Sequence, residues 1–160
     1  YFRIRDMKKD IEKIRASASL PLVSRNVKID GKLYLDGGIS DAIPLQKSVM
    51  DGNRKNVVVM TKEEGFVRKP ESRLALIKAR YFMYPRVTEL MAQRHIDYNE
   101  QVAYILRQQQ EGKAFVIRPK QASKVGRVEK DRERLRNLYQ EGYDDAAENF
   151  QRLLEFLKDA

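Results

Sequence analysis

Apolar residues at Met7, Ile11, Ile14 and Ala18 recur at helical spacing behind Asp6, a residue type that caps helix starts, so a helix is predicted from Met7 to about Ser19, ahead of Pro21. Val27-Lys28-Ile29 and Leu33-Tyr34-Leu35, separated by Asp30-Gly31, read as a β-hairpin. The hairpin delivers Asp36 to a turn on Gly37 and Gly38, where glycine allows a sharp change of backbone direction. Pro44 then stands near the first turn of a short helix, Leu45 to Met50, which Gly52 closes. Asn56-Val57-Val58-Val59-Met60-Thr61 is a continuous apolar run of the type that fills a strand buried on both faces.

Lys62 to Arg73 is polar and contains Gly65 and Pro70, which predicts a surface loop. A helix is expected over Leu74 to Phe82, broken at Pro85 from a longer one running from about Val87 to Gln110. The core face of the longer helix would carry Leu90, Met91, Ile96, Val102, Ile105 and Leu106, and Gly112 would stop it. Ala114-Phe115-Val116-Ile117 is a second buried strand ended by Arg118-Pro119, and the tail reads as two helices, Lys130 to Gln140 and Tyr143 to Lys158, interrupted at Gly142. Strands alternating with helices imply an α/β layered domain. No repeat, low-complexity segment or linker divides the chain, so residues 1–160 read as one domain or part of one, with a helical C-terminal region from about 120 to 160.

The 160 residues suffice for a core of useful size. With 34% of residues charged and no apolar run approaching a membrane span, a soluble chain is expected, by default cytoplasmic with room for peripheral membrane contact. Tyr1-Phe2-Arg3-Ile4-Arg5-Asp6 leads straight into a charged helical pattern and has no signal-peptide character. The absence of an initiating Met suggests a fragment. Zero cysteines exclude disulfides, thiolate metal sites and a cysteine nucleophile. A formal charge of +9 favours anionic partners. Its densest stretch, Arg118 to Arg136, holds eight cations against three acidic residues, net +5; it suits an anionic membrane surface or a solvated helix face laced with ion pairs around Asp131. Aromatic residues do not interleave with these charges, so no nucleic acid is expected as partner.

The candidate chemistry centres on Asp36. A carboxylate where a strand ends and glycines turn the chain sits where α/β enzymes place working acids, although Asp-Gly is also a common signature of a plain turn. The flanks add more. Ala16-Ser17 and Pro21, then a hairpin, then Asp36-Gly37-Gly38 and Pro44, resemble the second catalytic block of the patatin-like phospholipases, serine acyl hydrolases. The resemblance implies a layered patatin-like fold related to the α/β-hydrolases, of which this chain would be the C-terminal portion with an incomplete central sheet. It implies that Asp36 is the base of a Ser-Asp dyad on the turn supported by Gly37 and Gly38, that the substrate is a phospholipid or other acyl ester, and that no cofactor or metal is needed. Asp41 departs from the Asn that bacterial members often carry, which bears on hydrogen bonding around the turn. Lys124-Val125-Gly126-Arg127 and Leu138-Tyr139-Gln140-Glu141-Gly142-Tyr143 resemble the ending of bacterial members of the family.

No Gly-x-Ser-x-Gly occurs; Gly38-Ile39-Ser40-Asp41-Ala42 comes nearest and makes Ser40 a secondary nucleophile candidate. In the family the glycine-rich oxyanion loop and the serine elbow precede the aspartate, so both are expected before Tyr1. The chain alone would then be inactive and would expose a sheet edge, to be covered by the missing N-terminal half of the domain or by another chain. A dyad that uses no histidine fits the single His95, which is read as structural or surface. Tyr81-Phe82-Met83-Tyr84 has the character of an acyl-groove lining but is read as core or a helix-packing joint, with no site role. The competing reading is a non-enzymatic basic α/β module binding anionic surfaces, with Asp36-Gly37-Gly38 only a turn.

Overall fold

The computed structural model describes residues 1–126 and 129–158. The element order is α1 (Ile11–Ser17), β1 (Val27–Ile29), β2 (Lys32–Tyr34), a 3-10 turn (Gly37–Ile39), α2 (Leu45–Met50), β3 (Asn56–Val59), α3 (Leu74–Arg80), α4 (Pro85–Gln110), β4 (Ala114–Ile117) and α5 (Arg132–Lys158). This is a mixed α/β chain. It divides into two compact units, Tyr1–Ile43 with Arg68–Gln101, and Pro44–Val67 with Val102–Ala160.

In the first unit α1 is shorter than the periodicity predicts. Asp6 does cap, but it caps the turn ahead of the helix, its Oδ1 accepting from the N–H groups of Lys8 and Lys9 at 2.9 and 3.2 Å. Asp10 follows as the N-cap residue, without capping α1 through its side chain. Its carboxylate instead holds the N–H groups of Arg5 and Asp6 and pairs with Lys13 at 2.6 Å. The buried face differs too: Ala16 is enclosed, whereas Met7 and Ile11 are exposed. Ala16 packs with Val27 and Ile29 of β1, which pairs antiparallel with β2 in the register Val27↔Tyr34 and Ile29↔Lys32. Asp30 and Gly31 both take positive φ, 47° and 79°, the two-residue turn that matches the right-handed twist of a hairpin. The second strand lies one residue earlier than expected, which frees Leu35 to join the other core cluster of the unit.

That cluster consists of Ile39, Ile77, Tyr81 and Met91, with Leu22, Leu35, Leu74, Val87 and Leu90 packed around it. Each such side chain, fully buried, contributes about 1.5–3 kcal/mol. Ile39 belongs to the 3-10 turn, so the Gly-Gly turn is anchored by an apolar plug set against α3 and α4. Pro85 opens α4 where the sequence suggests a break before it; at a helix N-terminus the missing N–H costs nothing. Of the expected core face of α4, Met91 and Ile105 are buried, while Ile96 and Leu106 are exposed. Within the aromatic run, Tyr81 is core at 1% exposure, and Phe82 and Met83 are solvent-facing.

In the second unit β3 and β4 pair in parallel, Asn56↔Ala114 through Val59↔Ile117. Val58 and Met60 are buried, but Val57 and Val59 are 43% and 70% exposed, so β3 is covered on one face instead of two. Among the described residues this sheet has two strands. At the C-terminal end of α5, the Phe156 ring packs against Phe115 of β4, tilted by 45° with centroids 5.7 Å apart, and Lys55 Nζ donates to the Phe156 carbonyl at 2.8 Å. The tail is one helix instead of two: α5 runs through Gly142, because an interior glycine costs about 1 kcal/mol, too little to break an otherwise favourable helix. Arg127, part of the tail resemblance and of the basic stretch, lies outside the described residues, as does the last part of the region 120–160.

Candidate active site

Asp36 leaves β2 in extended backbone (φ −49°, ψ 129°) and caps the 3-10 turn that follows, its Oδ1 accepting from the Gly38 N–H at 2.6 Å. The turn closes through Ile39 N–H to Asp36 O at 3.2 Å and Ser40 N–H to Gly37 O at 3.0 Å. Gly38 sits in a tight space: a Cβ on it would lie 3.1 Å from Asp36 Oδ1 and 3.6 Å from Arg94 Nη2. A Cβ on Gly37 would meet nothing within 4 Å. The half-buried Asp36 carboxylate therefore spends one oxygen on its own turn. Among the described residues its Oδ2 accepts no hydrogen bond.

The segment between α1 and β1 holds the Asp36 backbone. The Asp36 N–H donates to Ser19 O at 2.9 Å, and the buried Ser19 hydroxyl donates to Arg15 O at 2.7 Å. Ala16 and Pro21 thus flank the residue that fixes the start of the turn. Leu22, next along, takes φ 66°. A left-handed conformation costs an ordinary residue roughly 1–2 kcal/mol, and it is held here while the Leu22 side chain packs on the Ile39 cluster.

From the other side α4 grips the turn. Arg94 Nε donates to Gly38 O at 2.7 Å. Gln101 Nε2 donates to Asp41 Oδ1 at 2.9 Å, and its Oε1 accepts the Ile43 N–H at 3.1 Å. Asp41 Oδ2 is also bonded by the Tyr1 hydroxyl. The hydrogen bonding around Asp41 is therefore satisfied by an acceptor-only carboxylate. Tyr98, buried between Arg94 and Gln101 on the same helix, carries the Arg68 guanidinium 4.1 Å from its ring centroid, and Asn99 ties the Arg68 backbone at 2.9 and 3.1 Å. Ser19, Arg94 and Gln101 have no place in the motif reading. The one signal in the sequence is that Arg94 and Gln101 fall on the same helical stripe as Met91 and Tyr98.

Ser40 is exposed, has ordinary right-handed backbone (φ −105°, ψ −34°), and donates its hydroxyl to Gly37 O at 3.2 Å. It lacks the strained strand-to-helix elbow that lifts a nucleophile out of the backbone. His95 is half-buried with Nδ1 3.0 Å from Ala92 O, one turn back on its own helix. In the basic stretch, Lys120 pairs with Glu148 at 2.5 Å, which raises the Lys120 pKa, and Arg134 meets Glu129 at 3.5 Å. The Glu129 pKa is lowered chiefly by the N–H groups of Asp131 and Lys130. No helix among the described residues is long and apolar enough to cross a membrane.

Residues 8–47 match the family model of the patatin-like phospholipases. That range takes in α1, the hairpin and residues 36–38. Residues 84–158, beginning just before α4, match a domain family of unknown function, DUF6363. The chain is also 44% identical over 52 residues to the uncharacterized protein YjjU of Escherichia coli (strain K12), a stretch that is 32% of this chain and 15% of that relative.

Proposed function

We propose that this chain is the aspartate-bearing portion of a patatin-like lipid acyl hydrolase, with Asp36 as the base of a Ser-Asp dyad. The observation that carries the reading is the state of the Asp36 carboxylate. One oxygen is fixed by a backbone N–H, and the other has no hydrogen bond among the described residues, at the end of a hairpin. A general base needs that combination of fixed geometry and an open lone pair. The match of residues 8–47 to the patatin-like phospholipases supports the assignment.

In the proposed reaction a serine outside this chain attacks the carbonyl carbon of a phospholipid or related acyl ester. Asp36 takes the serine proton as the Oγ–C bond forms. Collapse of the tetrahedral intermediate expels the alcohol, which receives that proton from Asp36. Water then hydrolyses the acyl-serine by the same sequence in reverse. Gly37 and Gly38 support the turn. The parallel pair β3–β4, with Val57 and Val59 exposed, is the edge of a larger sheet that the rest of the domain completes.

A fluorophosphonate, which labels activated serines, tests this in the full-length protein. The expected product carries the label on one serine outside these 160 residues, with labelling slowed at least roughly 100-fold by Asp36→Ala. Labelling at Ser40, or a rate indifferent to Asp36→Ala, would overturn the reading.

A further inference from the structure

Gly38 is bonded on both sides of its α-carbon. Its N–H donates to Asp36 Oδ1 at 2.6 Å, and its carbonyl accepts from Arg94 Nε at 2.7 Å. The side from which a Cβ would project is shared by Asp36 Oδ1 and Arg94 Nη2, so guanidinium and carboxylate flank the same bare α-carbon. Arg94 lies 56 residues away in sequence and half-buried on α4. We infer that Arg94 is a positioning residue for Asp36, on the reading of Asp36 as base given above.

A glycine has the widest backbone freedom of any residue, so the peptides on either side of Gly38 rotate unless both are held. The Asp36 carboxylate holds one of them and is in turn held by it. Without a second anchor, that pair would move together. The Arg94 bond to the Gly38 carbonyl is the second anchor. A hydrogen bond from a charged donor is roughly twice as strong as a neutral one, and the planar guanidinium fixes its direction. Arg94 is itself fixed: Met91, one turn back, is buried with Ile39 of the turn, and Tyr98, one turn on, is buried as well. Gln101 repeats the device at Asp41 and Ile43, so α4 grips residues 38–43 at two points of one helical face.

The segment 84–158 thereby acquires a role, since its first helix carries the clamp for the turn that the patatin-like segment 8–47 supplies. Arg94 touches no reacting atom in this scheme and acts on Asp36 through Gly38.

The test is a set of variants of the full-length protein, Arg94→Met, Arg94→Lys, Asp36→Ala and Asp36→Ala with Arg94→Met, assayed on a short acyl ester. Arg94→Met should lower kcat roughly 10- to 100-fold with KM little changed, the size expected for misplacing a catalytic group by about 1 Å. Arg94→Lys, which keeps a charged donor but not the planar fork, should recover part of the loss, and Arg94→Met should cost nothing further once Asp36 is Ala. If Asp36→Ala is inactive while Arg94→Met matches the parent, the positioning role is wrong and the dyad stands; if Asp36→Ala is fully active, the dyad reading itself fails. Amide hydrogen exchange over residues 36–43 reads the clamp independently of activity. It should accelerate in Arg94→Met and return toward the parent in Arg94→Lys, and unchanged exchange would overturn the inference.

Discussion

Gly37 and Gly38 are neighbours in sequence but not in what they tolerate. Gly38→Ala would press a Cβ to 3.1 Å from the Asp36 carboxylate, which must then shift by a few tenths of an ångström. Gly37→Ala meets open space in this chain. Thermal melts of the two variants, with a crystal structure of Gly38→Ala, should show near-parent stability for Gly37→Ala and a displaced carboxylate for Gly38→Ala. Asp10 supplies a pH prediction. Its pairing with Lys13 and the N–H groups of Arg5 and Asp6 bring its pKa from 3.8 down to about 2. The folded chain therefore holds the carboxylate ionised down to about pH 2, whereas the unfolded chain protonates near 3.8. The stabilisation is complete above about pH 4 and lost on acidifying toward pH 2. Asp10→Asn should melt below the parent at neutral pH, and the gap should close as the pH approaches 2. At this scale the turn at Asp36 is legible in the sequence because its geometry is local: a strand, a glycine pair and a carboxylate in one run. Ser19 and Arg94 are not, because their contribution is a hydrogen bond to a backbone atom far along the chain, which leaves no local pattern.

Among the elements, those set by short-range rules match the sequence. The hairpin follows from Asp30-Gly31, α2 from Pro44 and Gly52, and β4 from its apolar run. The departures share a cause, which is that periodicity and residue type do not encode the competing contact. Periodicity starts α1 at Met7, but Asp6 and Asp10 turn the chain first through their side chains. Composition suggests a β3 buried on both faces, yet it cannot say how many layers cover a strand. Residue type alone suggests a break at Gly142. That glycine lies inside α5, where an added Cβ would meet nothing within 4 Å. Gly142→Ala should therefore stabilise the helix by about 1 kcal/mol, read as a higher melting temperature. A lower one would mean that the glycine is needed where it stands.

For the whole molecule, two compact units, two separate two-stranded sheets and an exposed β3 face describe a chain whose apolar surfaces are only partly covered by its own described residues. Alternation of strands and helices points to an α/β class. The number of strands in each sheet is not legible in the sequence, because pairing partners are set by tertiary contacts that periodicity does not encode. The charge of +9 is a net excess and survives ion pairing, although Lys120, Arg134 and Lys113 are each engaged with a carboxylate. The proposed chemistry turns on one atom, the Asp36 Oδ2, as the acceptor of a serine proton. The most direct test is the kcat of the full-length protein on a short acyl ester with Asp36→Asn, which keeps the shape and removes the base. A loss of roughly 10³- to 10⁴-fold at unchanged melting temperature is the predicted result; kcat within a few-fold of the parent would contradict it.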